Sequence, residues 1–244
     1  MSLQGASVLV TGGTRGIGRA IALRLAADGA SRVVLGYMRN DSAAEEAAAV
    51  VEEAGAEAVL VRGDVAKEKV VAELAEAGPY RVVVHNAATG VVRAALETED
   101  KHWDWTLNAN ARALLALARA TAPAMEPGAA IVAISSLGSM RVLDGYVLIG
   151  ASKAALESVV RYLGVELAPR GIRVNAVSGG VVETGALEHF PNKDAMLATV
   201  DRTPAGRLVE PADIAAAVSF LCSPDAAMVC GQTLIVDGGF SLLA

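Results

Sequence analysis

Two side chains with acid–base chemistry, Tyr146 and Lys153, fall seven residues apart in the sequence. Seven helical residues rotate by about 700°, within about 20° of two full turns, and rise by about 10 Å, so the pair would share one helix face but stand well apart. If Gly145 and Gly150 delay the start of that helix, Tyr146 lies in the preceding loop. A phenol donates a hydrogen bond or a proton, and an ammonium group favours reactions that develop negative charge. The pair therefore indicates chemistry at a substrate oxygen.

A glycine-rich segment, Thr11 to Gly18, connects a short apolar run at 7–10 to apolar residues at helical spacing. Its glycines can adopt positive φ and let a pyrophosphate approach the backbone, and the N-terminus of the following helix attracts an anion. This position between a strand and a helix predicts a dinucleotide site. The alternative is a tight connection without a ligand.

The rest of the chain alternates between predicted strands and helices, which is typical of a parallel sheet with right-handed crossovers. The predicted strands are 7–10, 32–35, 57–61, 81–85, 130–134 and 173–177, and the predicted helices are 17–28, 42–54, 67–76, 100–122 and 150–167. We expect an α/β fold, a single Rossmann-type domain over 1–244 whose doubly wound parallel sheet carries helices on both faces. Residues 183–210 break the rhythm and predict a functional loop–helix excursion.

The composition excludes several classes of protein. The 244 residues carry a net charge of −6 without a run of Lys or Arg, which argues against nucleic acid or a membrane surface as a partner. Cys222, Cys230 and three scattered histidines predict neither a metal site nor a disulfide framework. No apolar run reaches the roughly 18 residues of a membrane span, and no signal peptide begins the chain. We expect a soluble, cytoplasmic protein.

The glycines follow a Gly-x-x-x-Gly-x-Gly pattern, Gly12, Gly16 and Gly18, and several polar positions follow later strands: Asp64-Val65, Asn86-Ala87-Ala88, Asn110, Ser135-Ser136 and Lys153. Over essentially its whole length the sequence resembles the short-chain dehydrogenase/reductases. Such positions meet at the carboxyl edge of an open parallel sheet, where ligands bind. The resemblance implies a nicotinamide cofactor held by the following residues. They are Gly12, Thr14, Arg15, Gly16, Ile17, Gly18, Arg39, Asn40, Asp64, Val65, Asn86, Ala87, Lys153, Val181 and Thr184.

The end of the second strand favours NADPH over NADH. An NAD site places an acidic residue there, but residues 36–40 contain no carboxylate and the first one is Asp41. Arg15 and Arg39 could clamp a 2′-phosphate with two guanidinium groups. The alternative is that Arg39 is a solvated start to the second helix and that Asp41 is its N-cap.

The catalytic pattern departs from most members of the family, which carry a tyrosine four residues before the lysine. Here that position is Ile149, which cannot deliver a proton. Tyr-x₆-Lys is instead the spacing of the enoyl-[acyl carrier protein] reductases, and segments 135–139, 144–146 and 151–157 resemble their third type. The resemblance implies that Tyr146 stabilises an enolate and that Lys153 holds the nicotinamide ribose.

Two further residues complete the implied catalytic set. Asn110 would position water or the helix geometry, or it is a polar residue at a packed helix defect. Ser136 would act directly in catalysis, or it would only shape the substrate pocket.

The excursion at 183–210 is expected to form part of a site for an acyl group. Leu187, Phe190 and Met196, with 141–143, would wall an apolar pocket suited to an acyl thioester substrate. Lys193, Arg202 and Arg207 would meet an acidic acyl carrier protein. The resemblance also implies a homo-oligomer, a tetramer or a dimer.

The leading interpretation is NADPH-dependent reduction of a trans-2-enoyl thioester, in fatty acid or polyketide biosynthesis. Two alternatives stay open. One is a 3-ketoacyl or polyketide ketoreductase that uses Tyr146 after a local loop shift, and the other is a non-catalytic NADPH-binding protein, motivated by Ile149.

Overall fold

The computed structural model of the protein describes residues 3–185 and 193–243. Seven strands and eight α-helices alternate along the described chain. The strands are β1 (Ser7–Thr11), β2 (Arg32–Tyr37), β3 (Glu57–Arg62), β4 (Val82–His85), β5 (Ala130–Ser136), β6 (Arg173–Gly179) and β7 (Thr233–Val236). The helices are α1 (Gly16–Ala27), α2 (Asp41–Glu53), α3 (Glu68–Glu76), α4 (Asp100–Leu107), α5 (Ala113–Thr121), α6 (Val147–Leu167), α7 (Lys193–Leu197) and α8 (Pro211–Cys222).

The strands form one parallel sheet in the order β3-β2-β1-β4-β5-β6-β7. The chain runs outward from β1 in one direction and then, from β4, in the other. The carboxyl ends of β1 and β4 therefore border the switch point where open α/β sheets bind ligands. The prediction of a doubly wound, single-domain α/β fold is confirmed.

Successive side chains of the central strands are buried on opposite faces of the sheet. Val8 and Val10 belong to the apolar layer shared with α1 and α8, whereas Leu9 belongs to the layer shared with α5 and α6. All three are fully buried. Such near-continuous apolar strands are what a parallel sheet covered by helices on both sides requires.

The predicted helix over 100–122 is confirmed from Asp100 to Thr121, but it is not a regular α-helix throughout. A π-helical segment, Asn108–Arg112, separates α4 from α5 and places one extra residue in the turn. The predicted start of α6 at Gly150 is also late, since the helix begins at Val147 and Tyr146 is its N-cap.

The sequence analysis did not predict α8 or β7. A reciprocal capping box between Glu210 and Asp213, with Pro211 in the first turn, starts α8. Gly231, at a φ of 69°, precedes β7 on the sheet edge. Among the described residues, no helix combines the length and apolarity that crossing a bilayer requires.

Candidate active site

The glycine turn between β1 and α1 is shaped to receive an anion. Gly12 and Gly16 have φ values of 64° and 51°, a region that side chains disfavour. A Cβ on Gly18 would lie 2.0 Å from the carbonyl oxygen of Gly12, so helix and turn meet backbone to backbone. The first turn of α1 contains no acidic residue, and its backbone N–H groups face the turn. These features fit the pyrophosphate of a dinucleotide.

The first carboxylate after β2, that of Asp41, already has partners within the protein. Asp41 accepts a hydrogen bond from the Tyr37 hydroxyl at 3.0 Å and pairs with Arg62 at 3.1 Å. The N-cap of α2 is Asn40, whose side chain accepts from the Ala43 N–H at 3.1 Å. The alternative in which Asp41 caps this helix is therefore wrong.

Arg15 and Arg39 are both exposed, one at the N-cap of α1 and the other just after β2. Thr14, in the glycine turn, is buried. At the end of β3, the Asp64 carboxylate accepts from the Ala66 N–H at 2.9 Å, and Val65 beside it is buried. The predicted cofactor residues of these strands thus lie along one edge of the sheet.

The Asn86 side chain is hydrogen-bonded to the glycine turn. Its side-chain amide donates to the carbonyl oxygens of Thr11 at 3.1 Å and Gly12 at 3.0 Å. Both amide hydrogens are therefore committed to the backbone, and only the amide oxygen remains for a ribose. The resemblance implied a cofactor contact for Asn86, and the observed hydrogen bonds of its amide group hold the turn that precedes α1.

A buried histidine connects this turn to the π-helical segment. Thr11 Oγ1 accepts from the backbone N–H groups of Asn86 and Ala87 at 3.2 and 3.1 Å, so its own hydrogen is donated to His85 Nδ1 at 3.2 Å. The hydrogen of His85 then sits on Nε2, which donates to the Asn110 carbonyl oxygen at 3.0 Å. Burial lowers the pKa of His85 to about 4, so the ring is neutral near pH 7.

The Asn110 side chain is held by three hydrogen bonds within the protein. Its side-chain amide donates to the Thr89 carbonyl at 2.9 Å and to Ser152 Oγ at 2.8 Å, and its side-chain oxygen accepts from the Thr89 N–H at 2.8 Å. The residue is fully buried. Its polar atoms tie the π-helical segment to Thr89 and to α6, which agrees with the expected role in helix geometry, and a direct part in catalysis stays a prediction.

A cavity of about 310 Å³ opens at the carboxyl ends of β5 and β6. Its wall brings together segments that lie far apart in sequence, with mostly apolar side chains. The lining comprises Ile17, Ile134, Ser135, Ser136, Leu137, Leu143, Asp144, Tyr146, Gly179, Gly180, Val181, Val182, Thr184, Met196, Thr199, Ile214 and Phe240. A Cβ on Gly16 would contact the Thr184 methyl group at 3.5 Å, so the cavity adjoins the glycine turn.

Tyr146 presents its hydroxyl to this cavity, 3.4 Å from Ser136 Oγ. The backbone N–H of Gly138 donates to the same serine oxygen at 3.3 Å. Burial raises the pKa of the Tyr146 phenol, and the hydrogen bond with Ser136 opposes that rise. The phenol is therefore protonated near neutral pH and can donate a hydrogen bond to a substrate oxygen.

Ile149 points away from the cavity. It is 7% exposed, and a Cβ on Gly90 would lie 2.3 Å from its Cγ1. The side chain thus packs against the segment after β4, and it is absent from the cavity wall. The position where most related sequences carry a tyrosine is closed by apolar packing.

Lys153 lies behind the cavity wall. Its Nζ donates to the Ile134 carbonyl oxygen at 2.7 Å, and the residue is 5% exposed. Burial lowers the pKa of Lys153 to about 8, and the Glu157 carboxylate on the next turn of α6 opposes this fall. The ammonium is therefore held against Ile134, a residue of the cavity wall.

The whole chain is similar to solved dehydrogenase structures. A short chain dehydrogenase from Burkholderia cenocepacia, in complex with NADP, shares 35% identity at a TM-score of 0.90, over 98% of this chain and 99% of that one. A blue fluorescent protein from a metagenomic library, in complex with NADPH, shares 33% identity at a TM-score of 0.91, over 99% of this chain and 100% of that one.

A family model described as enoyl-(acyl carrier protein) reductase matches residues 12–241. The 1-cyclohexenylcarbonyl-CoA reductase of Streptomyces collinus is 39% identical over 244 aligned residues, which cover 97% of this chain and 87% of that protein. This chain belongs to the short-chain dehydrogenase/reductases. As a member of that family it is an oxidoreductase that uses a nicotinamide cofactor.

In this short-chain dehydrogenase/reductase the predicted pocket wall is correct in part. Leu143 and Met196 line the cavity as predicted. Arg141 and Val142 do not, because the Arg141 guanidinium donates to the Ser241 carbonyl at 2.6 Å and Val142 is fully exposed.

Two other predicted wall residues, Leu187 and Phe190, lie outside the described residues. The sequence analysis missed Thr199, Ile214 and Phe240 in the wall, because their segments carry no motif and join the cavity only through the fold.

The predicted cations around the excursion have different surroundings. Arg207 forms a two-pronged pair with Asp213 at 2.6 and 2.8 Å, and its contact with a carrier protein stays a prediction. Arg202 stacks on the Phe240 ring, 5.7 Å from its centroid, at the cavity wall. Among the described residues, no group of three His, Cys, Asp or Glu side chains is arranged to hold a metal ion.

Proposed function

We propose that this reductase transfers a hydride from NADPH to the β-carbon of a 2-enoyl thioester. The arrangement of Tyr146 and Ile149 is the observation that carries the proposal. The phenol of Tyr146 lies beside Ser136, about one helical turn farther from Lys153 than the tyrosine of most family members. The position of that tyrosine is occupied here by Ile149, which packs against Gly90. A donor displaced in this way suits an oxygen that is remote from the carbon receiving hydride.

Enoyl thioester reduction has such an oxygen. NADPH, when bound, supplies hydride to the β-carbon. Negative charge then develops on the thioester oxygen as the substrate becomes an enolate, and Tyr146 donates a hydrogen bond to that oxygen. A proton taken from water at the α-carbon completes the saturated thioester. Burial keeps the phenol protonated for this role. Ser136 orients the hydroxyl of Tyr146 through their 3.4 Å contact.

The remaining residues hold the cofactor and the acyl group. The glycine turn would hold the pyrophosphate, Arg15 and Arg39 the 2′-phosphate, and Lys153 the nicotinamide ribose hydroxyls. Val181 and Thr184 border the same cavity and would contact the nicotinamide. The predominantly apolar wall suits a hydrocarbon chain or ring.

The proposed substrate class is also supported by the similarity to a reductase of 1-cyclohexenylcarbonyl-CoA, which is a conjugated enoyl thioester. We propose that the acyl group is carried on the thiol of an acyl carrier protein or of coenzyme A. Arg202, stacked on Phe240 at the cavity wall, would meet the phosphate of the pantetheine arm. Fatty acid or polyketide biosynthesis as the pathway, and a cytoplasmic location, stay predictions.

The deciding experiment incubates the protein with 4-deuterated NADPH and either crotonyl or acetoacetyl thioester. We expect consumption of NADPH with the crotonyl thioester and a saturated product that carries deuterium on the β-carbon, read by mass spectrometry. Oxidation with acetoacetyl thioester alone would establish a ketoreductase instead. Cofactor binding with neither substrate reduced would leave the non-catalytic alternative.

A homo-oligomer, a dimer or a tetramer, is part of the proposal. An apolar groove between α5 and α6 exposes 37% of Leu115 and 69% of Tyr162, and Val165 on α6 is 76% exposed. Large apolar side chains left exposed together on a helix pair favour association. Light scattering after size-exclusion chromatography tests this, and a monomeric mass at micromolar concentration would contradict it.

A further inference from the structure

Two adjacent residues of β5 hold two residues of α6 that lie one helical turn apart. The Ile134 carbonyl accepts from Lys153 Nζ at 2.7 Å, and the Ser135 hydroxyl donates to Glu157 Oε1 at 2.5 Å. All four groups are buried, and Glu157 is 6% exposed. A buried carboxylate is costly unless it is paired and hydrogen-bonded, so its presence here calls for a reason.

Lys153 provides that reason. Its ammonium is buried with a neutral carbonyl as the acceptor of its short hydrogen bond, and a carbonyl dipole does not neutralise a full charge. Residues four apart on a helix lie on one face, so Glu157 and Lys153 share one face of α6. Among the described residues, Glu157 is the one carboxylate whose charge acts on Lys153.

The other titratable groups near Lys153 cannot supply this charge. His85 on β4 feels the charge of Lys153, but burial, and then that charge, lowers the pKa of His85 to about 4, so the ring is neutral near pH 7. Tyr146 at the start of α6 is a protonated phenol. Glu157 is thus the negative group available to offset the buried ammonium.

We propose that Glu157 is a positioning residue that keeps Lys153 cationic behind the cavity wall, with Ser135 fixing the Glu157 carboxylate in place. The inference rests on the proposed function, because that reaction needs a cation near the nicotinamide ribose and the developing enolate. Removing the carboxylate leaves the ammonium buried without an opposite charge, so Lys153 releases its proton at lower pH.

The first test observes Lys153 directly in the free protein. The chain has few lysines, and labelling them with ¹³C at Cε gives resolved signals, of which that of Lys153 disappears in Lys153→Met. We expect a titration midpoint near 8 in the unaltered protein and a midpoint lower by about one pH unit in Glu157→Gln. Glu166→Gln, on an exposed part of the same helix, is the matched control and should leave the midpoint unchanged.

A folded Glu157→Gln protein with the original midpoint would overturn the inference. Because this measurement uses no substrate, it stands even if enoyl thioesters are not reduced. The pH dependence of NADPH binding, followed by cofactor fluorescence, gives a second readout. Its alkaline limb should move to lower pH in Glu157→Gln and stay in place in Glu166→Gln.

A double-mutant cycle covers the case in which Glu157→Gln folds poorly. Without the ammonium the carboxylate has no charge to offset, so Glu157→Gln should lower the melting temperature less in a Lys153→Met background than in the unaltered protein. Folding of the double variant where Glu157→Gln alone fails would support the coupling. Equal losses in both backgrounds, or failure of both to fold, would overturn it.

Discussion

The ring of Tyr146 lies directly on the backbone of Gly138, where a Cβ would fall 2.5 Å from ring atom Cδ1. The same glycine presents its carbonyl oxygen to Gly150, and a Cβ on Gly150 would fall 2.6 Å from it. Two glycines therefore form the slot that aims the phenol at Ser136. The position of the donor depends on this slot as much as on the spacing between Tyr146 and Lys153.

Replacing Gly138 by Ala should displace the Tyr146 ring. The added methyl group overlaps the ring edge, and a misplaced donor cannot reach the developing oxyanion. We expect kcat for an enoyl thioester to fall by about tenfold or more while the Kd for NADPH changes little. Steady-state kinetics and fluorescence titration measure the two quantities, and an unchanged kcat would show that the slot does not aim the ring.

Replacing Tyr146 by Phe tests the hydroxyl itself. Loss of an oxyanion donor typically costs on the order of 10²-fold in turnover, and we expect at least that in kcat without loss of fold. Tyr162→Phe is the matched control, because Tyr162 is 69% exposed on α6, away from the cavity. Equal turnover in Tyr146→Phe and the unaltered protein would remove this phenol from the mechanism.

The local features of the fold could be read from the sequence, since each depends on neighbours in the chain. The apolar runs, the glycine turn with Gly12 and Gly18, and the helical spacing in α1 predict their elements correctly. Tyr146 could be placed near the start of a helix for the same reason. These signals sit within one strand, one turn and one helix.

What the sequence could not supply is long-range pairing. The roles of Asn86 and Asn110 follow from partners that are 21 to 75 residues away, in the glycine turn and after β4. The sequence offers a packed helix defect at Asn110 only as one alternative, because the partners that occupy its side chain lie outside the helix. The pair formed by Ser135 and Glu157 becomes visible only when β5 and α6 pack together.

Restoring a tyrosine at the usual position should not convert the enzyme into a ketoreductase. Ile149 fills the space above Gly90, so Ile149→Tyr forces a larger side chain into a closed site and costs about 1–3 kcal/mol of stability. We expect no reduction of acetoacetyl thioester by Ile149→Tyr in a Tyr146→Phe background. NADPH oxidation in that assay would mean that the Gly90 segment moves aside to admit a phenol.

Removing Arg39 or Arg15 should weaken NADPH binding far more than NADH binding. Both guanidinium groups are exposed beside the turn, and a hydrogen bond to a charged group contributes about 1.5–3 kcal/mol, or roughly tenfold to a hundredfold in Kd. Arg119→Ala, on the exposed side of α5, is the control. An unchanged ratio of the two dissociation constants in both variants would place the 2′-phosphate elsewhere.

His85 should make the fold lose stability as the pH falls from about 6.5 to about 4. Burial, and then the charge of Lys153, lowers the pKa of His85 from 6.5 to about 4, so in this window the unfolded chain binds a proton that the folded protein does not. The free energy of unfolding therefore drops on acidification, by about 3 kcal/mol at most from this residue. Urea unfolding at a series of pH values measures the drop.

The variant His85→Asn provides the comparison. Asn retains an acceptor for the Thr11 hydroxyl but carries no proton in this range, so the carboxylates that also titrate there contribute equally to both proteins. We expect His85→Asn to be less stable at pH 7 because the hydrogen bond to the Asn110 carbonyl is lost, and we expect the gap between the two proteins to narrow toward pH 4. Parallel stability curves would mean that His85 is protonated inside the fold, and that the neutral link from Thr11 to Asn110 is absent.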